Sequence, residues 1–280
     1  LQPGERVAIC ANPSSDWVVT ALAVIRAGAV LVPVDAQMDR DNLRHVLLDS
    51  DTRCVFADKD RRTRVDKLNI DKAPDAYTLG DDSALRDGSH TPPATWPERK
   101  PEDEAVLFYT SGTTGRPKGV PLTHANLAFQ IRTVAETQIA TPRDRLLLSL
   151  PLHHVYPFVL GLLAPLAVRA PIVLPEALTG PQLINAVRRG RVSTMIGVPR
   201  LYRALVEGIR SRFASQGRIA SGYFDTALAV SALLNRRFGL QAGRVLLHPV
   251  HRRLGGSVRL MASGGSPLDP ELGEIGRAHV

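Results

Sequence analysis

The chain has 280 residues, of which 44% are hydrophobic, and a formal net charge of +8; this length predicts one large domain or two modest ones with a sizeable core. Charged residues make up 22% of the sequence and are mixed with apolar ones, which excludes a disordered chain. The only two cysteines, Cys10 and Cys54, exclude a disulfide framework and a four-cysteine zinc site and indicate a reducing compartment.

The basic charge is concentrated in the second half of the chain. Residues 186–259 contain fourteen arginines, no lysine and two acidic residues. Such a segment fits contact with phosphates, acidic lipid headgroups or an acidic partner protein, or else a solvated helical face. Aromatic residues make up only 5% of the chain and no base-stacking motif appears, which argues against nucleic acid as a partner.

Residues 1–80 show short strands alternating with helices, a pattern typical of a parallel sheet covered on both faces. Strands are predicted at residues 6–11, 30–34 and 54–57, and helices at 17–27 and 39–49. Residues 81–104 are polar and contain four prolines, which predicts a linker or a long surface loop.

Residues 105–274 form the second predicted part, which carries the chemical motifs. Strands are predicted at 105–109, 120–122, 145–150, 172–174, 192–196 and 258–262. Helices are predicted from the cap residue Thr123 to about 137, and at 181–189, 200–213 and 219–238. The apolar positions Leu201, Leu205, Ile209 and Phe213 fit either ordinary helix core or the wall of a tunnel.

Residues 146–168 are uncharged over a length that could span a bilayer. Three prolines interrupt this stretch, and His153 and His154 lie together inside it. A buried strand, a polar loop and a short core helix therefore fit better than a transmembrane helix.

The most informative segment is residues 109–119, with the sequence YTSGTTGRPKG. Its three glycines let backbone N–H groups turn toward one point, its hydroxyls add donors, and Lys118 supplies a mobile positive charge. The spacing is not that of a P-loop, because no Gly-Lys-Ser/Thr follows a glycine at the required distance. We interpret the segment as a phosphate-binding loop; the alternative is a flexible hairpin turn.

This loop resembles the signature of the adenylate-forming, AMP-binding superfamily. The resemblance continues through VPLTHANL at 120–127, LPLHHVYP at 150–157 and SGGSPL at 263–268, in the order the family shows. Within the superfamily, the segment from 198–202 to 249–253 is most similar to long-chain fatty acyl-CoA synthetases. The fold implied is α/β, with layered sheets and flanking helices, as an incomplete large N-terminal domain of such an enzyme.

The resemblance implies a two-step reaction. A carboxylate, here a fatty acid, attacks the α-phosphorus of ATP to give an acyl-adenylate and pyrophosphate, and coenzyme A then takes the acyl group. Alternatives are an acyl–acyl-carrier-protein synthetase, another carboxylate–CoA ligase, or a non-catalytic nucleotide-binding or membrane-docking relative. The expected location is cytoplasmic; the alternative is a cytoplasmic protein that contacts the inner face of the membrane peripherally.

Site residues follow from the same resemblance. Lys118, His154 and Thr113 are expected to be catalytic, and His154 would lie where the acyl tunnel meets the nucleotide. The expected nucleotide-binding residues are Thr110, Ser111, Gly112, Thr113, Thr114, Gly115 and Lys118, with Gly264, Gly265 and Ser266 beneath the adenine. The alternatives are a packed core histidine for His154 and an ordinary turn for the glycine pair.

Other family features are expected beyond Val280, including the acidic Mg²⁺ ligand and the C-terminal domain. ATP implies Mg²⁺, but no metal ligand is assigned in this chain. Residues 275–280 depart from the family, and we interpret them as a non-native tail encoded by adapter DNA. We therefore expect the 280-residue chain alone not to turn over.

Overall fold

The computed structural model describes residues 1–79, 95–110, 115–240, 242–270 and 272–273. It divides into two compact units. The first comprises Leu1–Thr133 and Pro151–Val159, and the second comprises Val134–Leu150 and Leu160–Val280. Both units combine a sheet with helices, so the predicted α/β fold class is confirmed.

The first unit is built from strands and helices that alternate along most of its length. Its strands are β1 (Arg6–Cys10), β2 (Val30–Pro33), β3 (Thr52–Ala57), β4 (Asp75–Thr78), β5 (Glu104–Thr110) and β6 (Lys118–Thr123). Its helices are α1 (Ser15–Arg26), α2 (Arg40–Asp49) and α3 (Lys59–Asp66), and α4 (His124–Glu136) begins in this unit.

The described strands of the first unit form one sheet in the order β4-β3-β1-β2-β5-β6. All neighbours are parallel except β5 and β6, which form an antiparallel hairpin at one edge. The central strand β1 is buried on both faces, with Val7, Ala8 and Ile9 inaccessible to solvent. Strands covered on both faces read as continuous apolar runs, which is why the sequence predicted them well.

The first three helices each begin at a residue that satisfies the free backbone N–H groups of the first turn. Ser14 Oγ accepts from the backbone N–H of Trp17, and Asp39 and Asp58 accept in the same way from the third residue after them. Each cap follows closely on a strand. The chain therefore turns from strand to helix at the carboxyl edge of the sheet.

The segment Pro151–Val159 belongs to the first unit although its neighbours in sequence do not. Phe158 is fully buried and makes edge-to-face contacts with Trp17 and Phe108, with ring centroids 6.3 and 5.5 Å apart. Such aromatic pairs add to the stabilisation that burial itself gives. Phe158 thereby anchors the segment that carries His153 and His154.

The second unit contains a smaller sheet of short strands. These are β7 (Leu146–Leu147), β8 (Ile172–Val173), β9 (Thr194–Gly197) and β10 (Leu260–Ser263), which are parallel in the order β10-β9-β7-β8. Its helices are α5 (Ala164–Ala167), α6 (Gly180–Arg189), α7 (Pro199–Ala214), α8 (Arg218–Phe238), α9 (Gly243–Leu246) and α10 (His248–Arg253).

A polar network joins the amino ends of β9 and β10. The buried carboxylate of Asp144 accepts hydrogen bonds from Arg259 Nε at 2.7 Å and from Ser193 Oγ at 2.6 Å. Its second oxygen accepts from the backbone N–H and the hydroxyl of Thr141. These bonds hold the pKa of Asp144 well below its usual range, with the Arg259 guanidinium as the largest cause.

Two predicted stretches differ in detail from the structure. The strand predicted at 145–150 is paired only over Leu146–Leu147, and a π-helix at Pro157–Leu163 leads into α5. This agrees with a strand, a loop and a short helix, and within the described residues no helix has the length and apolarity that crossing a membrane requires.

Of the predicted linker, residues 81–94 lie outside the described residues, while Trp96 stacks against the Arg26 guanidinium at 5.1 Å. The linker assignment, like the other domain boundaries, stays a prediction.

Candidate active site

The signature hairpin, which we define as β5, β6 and the residues between them, carries three of the predicted nucleotide-binding residues among its described ones, Thr110, Gly115 and Lys118. Thr110 and Lys118 are paired across the hairpin where the loop begins and ends. Thr110, Gly115 and Lys118 are exposed, and among the described residues no heavy atom lies within 4 Å of a Cβ built at Gly115. The described ends of the loop are thus open to an incoming anion, with an ammonium group beside them.

Four of the predicted residues cannot be placed. Ser111, Gly112, Thr113 and Thr114 lie outside the described residues, so their assignment stays a prediction. What the structure brings together at this point is the hydroxyl of Thr110 and the side chain of Lys118 on facing strands.

Sequence reasoning missed two residues of α2 that contact this hairpin. His45 Nε2 donates a hydrogen bond of 2.9 Å to the carbonyl oxygen of Pro117, the residue before Lys118. The hydroxyl of Tyr109 donates a hydrogen bond of 2.7 Å to Asp49 Oδ2. Burial and this contact raise the pKa of Tyr109 above its ordinary value.

The histidine pair lies in the same unit, on the segment that Phe158 anchors. His154 is exposed, and its ring centroid lies 4.2 Å from that of His153. His153 is largely buried, and its Nε2 lies 3.9 Å from Asp35 Oδ2. Burial, followed by the neighbouring His154, lowers the pKa of His153 to about 4. His153 is therefore neutral at physiological pH.

The predicted adenine-binding residues lie in the second unit, directly after β10. The backbone N–H of Gly264 donates to the carbonyl oxygen of Gly197 at 3.1 Å, which ties this turn to the end of β9. Gly265 has φ +81°, a conformation that favours glycine, and Ser266 is exposed. The turn thus lies at the carboxyl edge of the parallel sheet, where α/β proteins bind ligands.

Tyr202 supports this edge, and sequence reasoning did not single it out. Its hydroxyl lies 2.8 Å from the carbonyl oxygen of Ala262 and 3.1 Å from that of Met195. The ring occupies the space beside Gly197, where an added Cβ would lie 2.7 Å from Tyr202 Cζ. Gly197 is the sequence signal that could have indicated this contact, because a glycine inside a strand often marks a place where another group approaches the backbone closely.

An apolar cavity of about 560 Å³ lies within the second unit, among α6, α7, α8, α10 and the strands β9 and β10. Leu205 and Ile209 line it. All four predicted positions also belong to or pack against core clusters, Leu201 and Leu205 in one and Ile209 and Phe213 in another. Two of the four are therefore both helix core and cavity wall. Ser263 Oγ is buried at the cavity without a hydrogen-bond partner among the described residues.

No group of three or more His, Cys, Asp or Glu side chains in the described part of the chain is placed to hold a metal ion. We derive no step through Mg²⁺.

The sequence model of the AMP-binding enzyme family matches residues 1–279. The chain belongs to this family. The AMP-binding chain is 34% identical to oxalate–CoA ligase of Arabidopsis thaliana over 63% of its own length and 36% of the relative's. It is 28% identical to the long-chain-fatty-acid–CoA ligase FadD15 of Mycobacterium tuberculosis, covering 99% of itself and 50% of that protein. A feruloyl-CoA synthase of an Amycolatopsis species shares 28% identity over 98% of the chain and 60% of the relative.

Solved structures agree with this membership. ATP-bound MatB of Rhodopseudomonas palustris superimposes with a TM-score of 0.66 at 29% identity, over 73% of this AMP-binding chain and 41% of MatB. The N-terminal domain of FACL13 from Mycobacterium tuberculosis has a TM-score of 0.75 at 22% identity, over 99% and 61% of the two chains. This likeness shows the fold. It confirms the prediction that the chain is part of the large N-terminal domain of an adenylate-forming enzyme. The chain spans about half the length of the curated relatives it matches.

Proposed function

We propose that the gene product carrying this chain activates a long-chain fatty acid with ATP and transfers the acyl group to coenzyme A. The observation that carries the proposal is the open end of the signature hairpin, where Lys118 stands exposed beside Thr110. According to their names, curated relatives act on acids as different as oxalate, ferulate, sulfoacetate and long-chain fatty acids. The choice of a long-chain fatty acid as the substrate is therefore a more specific proposal than the ligase class.

The first step would be stabilised electrostatically. Negative charge grows on the departing pyrophosphate as the carboxylate oxygen attacks the α-phosphorus. Lys118, Gly115 and Thr110 would offer an ammonium group, a backbone N–H and a hydroxyl toward that charge. Donors that are already oriented lower such a barrier because they need no reorganisation during the reaction.

We assign His154 to the acyl substrate and Gly264–Ser266 to adenine, each within its own unit. His154 is exposed, so its ring is available to donate a hydrogen bond to a carboxylate or an adenylate. The exposed glycine turn after β10 would let a flat ring approach the backbone closely. These roles rest on the family resemblance and on the exposure of the residues.

The apolar cavity supports a long acyl chain over a small, charged acid. Its lining is dominated by aliphatic side chains of α6, α7 and α8, and its volume of about 560 Å³ lies within the range of small-molecule sites. Oxalate or sulfoacetate would gain little from such a lining, because burying a charge without a partner is costly.

The test is carboxylate-dependent AMP formation by the whole gene product, with palmitate, ferulate and oxalate compared at equal concentration. Palmitate should give the highest kcat/KM with coenzyme A as acceptor. A preference for ferulate or oxalate would overturn the acid assignment and leave the ligase class intact. Replacing coenzyme A by acyl-carrier protein separates the two ligase types, and absence of AMP formation with every acid would favour a non-catalytic relative.

We also propose that the exposed face of α8 contacts the anionic surface of a membrane. Ile219 is 92% exposed and Leu233 50% exposed on this face, whereas Phe224 and Leu228 are buried on the opposite one. Exposed arginines lie at both ends of the helix, at Arg218, Arg236 and Arg237. Apolar side chains flanked by arginine complement a bilayer interface with acidic headgroups.

Co-sedimentation with anionic and with zwitterionic phospholipid vesicles tests this contact. Binding only to anionic vesicles, lost in an Ile219→Ser, Leu233→Ser double variant, is the expected result. Equal binding of the variant, or a dimer that the variant abolishes, would contradict it. A cytoplasmic location with contact at the inner membrane face stays a prediction.

A further inference from the structure

Helix α2 contacts both strands of the signature hairpin through one face. His45 and Asp49 are four residues apart, so their side chains emerge on the same side of the helix, one turn from each other. His45 contacts Pro117, directly before the strand that leaves the loop (β6), and Asp49 contacts Tyr109 in the strand that enters it (β5). We call these two residues the α2 clamp.

On the leaving strand, the clamp fixes the backbone rather than a side chain. Pro117 is buried, and its carbonyl oxygen accepts the hydrogen bond from His45 Nε2. Because Pro117 has a fixed φ and precedes Lys118 directly, holding its carbonyl group sets the direction in which Lys118 leaves the loop.

On the entering strand, the clamp fixes Tyr109, which precedes Thr110. The Tyr109 hydroxyl is bonded to Asp49, and the ring packs over Gly119 on the opposite strand. A Cβ at Gly119 would lie 3.4 Å from Tyr109 Cζ and 3.1 Å from Leu107 Cδ1, so glycine leaves room for this ring. Tyr109 also belongs to the core cluster that contains Leu43, Val46 and Leu47 of α2. Helix and hairpin are thus joined by apolar packing as well as by the two hydrogen bonds.

The hairpin needs such support because it lies at the edge of the sheet. β6 pairs only with β5 among the described strands, and its first residues, Lys118 to Val120, are exposed. Catalytic groups on a free edge lose rate when they move, since even a small misplacement weakens contacts made in the transition state.

We propose that the α2 clamp consists of positioning residues for adenylation, which hold Lys118 and Thr110 in a fixed relation to the nucleotide phosphates. This inference rests on the proposed adenylating function, but it concerns contacts that can be measured without it. Neither clamp residue touches the reacting atoms. Loss of a clamp contact is therefore expected to lower kcat more than it raises the KM for ATP.

The test compares His45→Leu with Arg44→Leu in the whole gene product. Arg44 is the matched control, because its Nε also donates a hydrogen bond from α2 to a backbone carbonyl, that of Asn69 at 2.8 Å, away from the hairpin. His45→Leu should lower the kcat of fatty-acid-dependent pyrophosphate exchange about tenfold, and Arg44→Leu should leave it within about twofold. His45→Gln, which keeps a side-chain N–H donor, should recover most of the rate.

Amide hydrogen exchange supplies a readout that does not depend on activity. His45→Leu should accelerate exchange at residues 118–120 about tenfold, whereas Arg44→Leu should not. Tyr109→Phe, which removes only the hydroxyl, should have the same kind of effect on the entering strand at residue 110.

The outcomes separate the clamp from the proposed function. Accelerated exchange in His45→Leu together with a wild-type protein that forms no AMP would retain the clamp as a structural contact, and would overturn both its catalytic role and the proposed function. An active wild type whose kcat is unchanged by His45→Leu, or reduced equally by Arg44→Leu, would overturn the clamp alone. Failure of His45→Gln to recover the rate would do the same.

Discussion

Arg259 Nε donates a hydrogen bond of 2.7 Å to Asp144 Oδ1, joining the start of β10 to the segment before β7 across 115 residues of sequence. Asp144 has only 3% of its side chain exposed, whereas Arg259 has 44%. The pair therefore combines a buried carboxylate, whose other oxygen is also satisfied, with a guanidinium that keeps contact with water. This arrangement limits the cost of removing the arginine from solvent.

Asp144→Ala should lower the free energy of unfolding by about 2–4 kcal/mol, because it leaves several hydrogen-bond donors without their acceptor. The matched control is Asp225→Ala, which removes the exposed pair of Asp225 with Arg210 and should cost less than about 0.5 kcal/mol. Urea denaturation of the chain and both variants measures the two values. Equal losses would show that the network contributes no more than a surface ion pair.

The same carboxylate predicts a dependence of stability on pH. Its pKa in the folded state lies below that of the unfolded chain, so its contribution is fully present above about pH 4. That contribution is lost as the pH falls through the folded-state pKa. Asp144→Asn should therefore show a smaller loss of stability between about pH 5 and pH 2, measured as the urea midpoint. Parallel pH profiles for the two proteins would contradict the shift.

Lys118→Ala should reduce the rate of acyl-adenylate formation about a hundredfold in the whole gene product, because an oriented positive charge beside the departing pyrophosphate is lost. The circular dichroism spectrum and melting temperature should not change, since Lys118 is exposed. Lys59→Ala, at the exposed start of α3, is the charge-matched control and should retain full activity. Equal rates for the two variants would remove Lys118 from the site.

His153 should make the protein sensitive to acid. Its folded-state pKa of about 4 lies below the ordinary value of 6.5, so the unfolded chain binds a proton that the folded chain does not. Stability is therefore unaffected by this group above about pH 6.5 and falls as the pH drops from there toward 4. His153→Gln should flatten the profile in that window, whereas His154→Gln should flatten it only in part, because burial is the larger cause of the shift. The urea midpoint between pH 4 and pH 7 gives the comparison.

Two glycines of the second unit should respond to alanine with opposite signs. At Gly197 the new Cβ would meet the Tyr202 ring at 2.7 Å, so Gly197→Ala should destabilise by about 1–3 kcal/mol. At Gly208, inside α7, nothing lies within 4 Å, so Gly208→Ala should stabilise by up to about 1 kcal/mol. If Gly197→Ala proved neutral in thermal unfolding, the contact between ring and backbone would be disproved.

The sequence predicted most strands and long helices because their apolar periodicity is strong. It missed α3 (Lys59–Asp66), where Val65 is the single buried residue and the remaining side chains are polar. A helix with so little apolar surface gives no periodic signal. It also missed β4, which among the described strands pairs with β3 alone.

The candidate site residues were predicted from their resemblance to the motifs of a family. Lys118 is the first residue of β6, and Gly265 lies two residues after the end of β10. The supporting contacts were not predictable in this way. His45 is 72 residues from Pro117, and Tyr202 is 60 residues from Ala262, and such pairings depend on strand order and helix packing rather than on neighbouring sequence.

The position of Phe158 has a consequence for how the first unit is made. Trp17 and Phe108 are synthesised well before their shared aromatic partner, and the whole second stretch of that unit emerges from the ribosome after residues 134–150, which belong to the other unit. The nascent first unit therefore lacks the ring that packs against Trp17 and Phe108 until residue 158 has been synthesised.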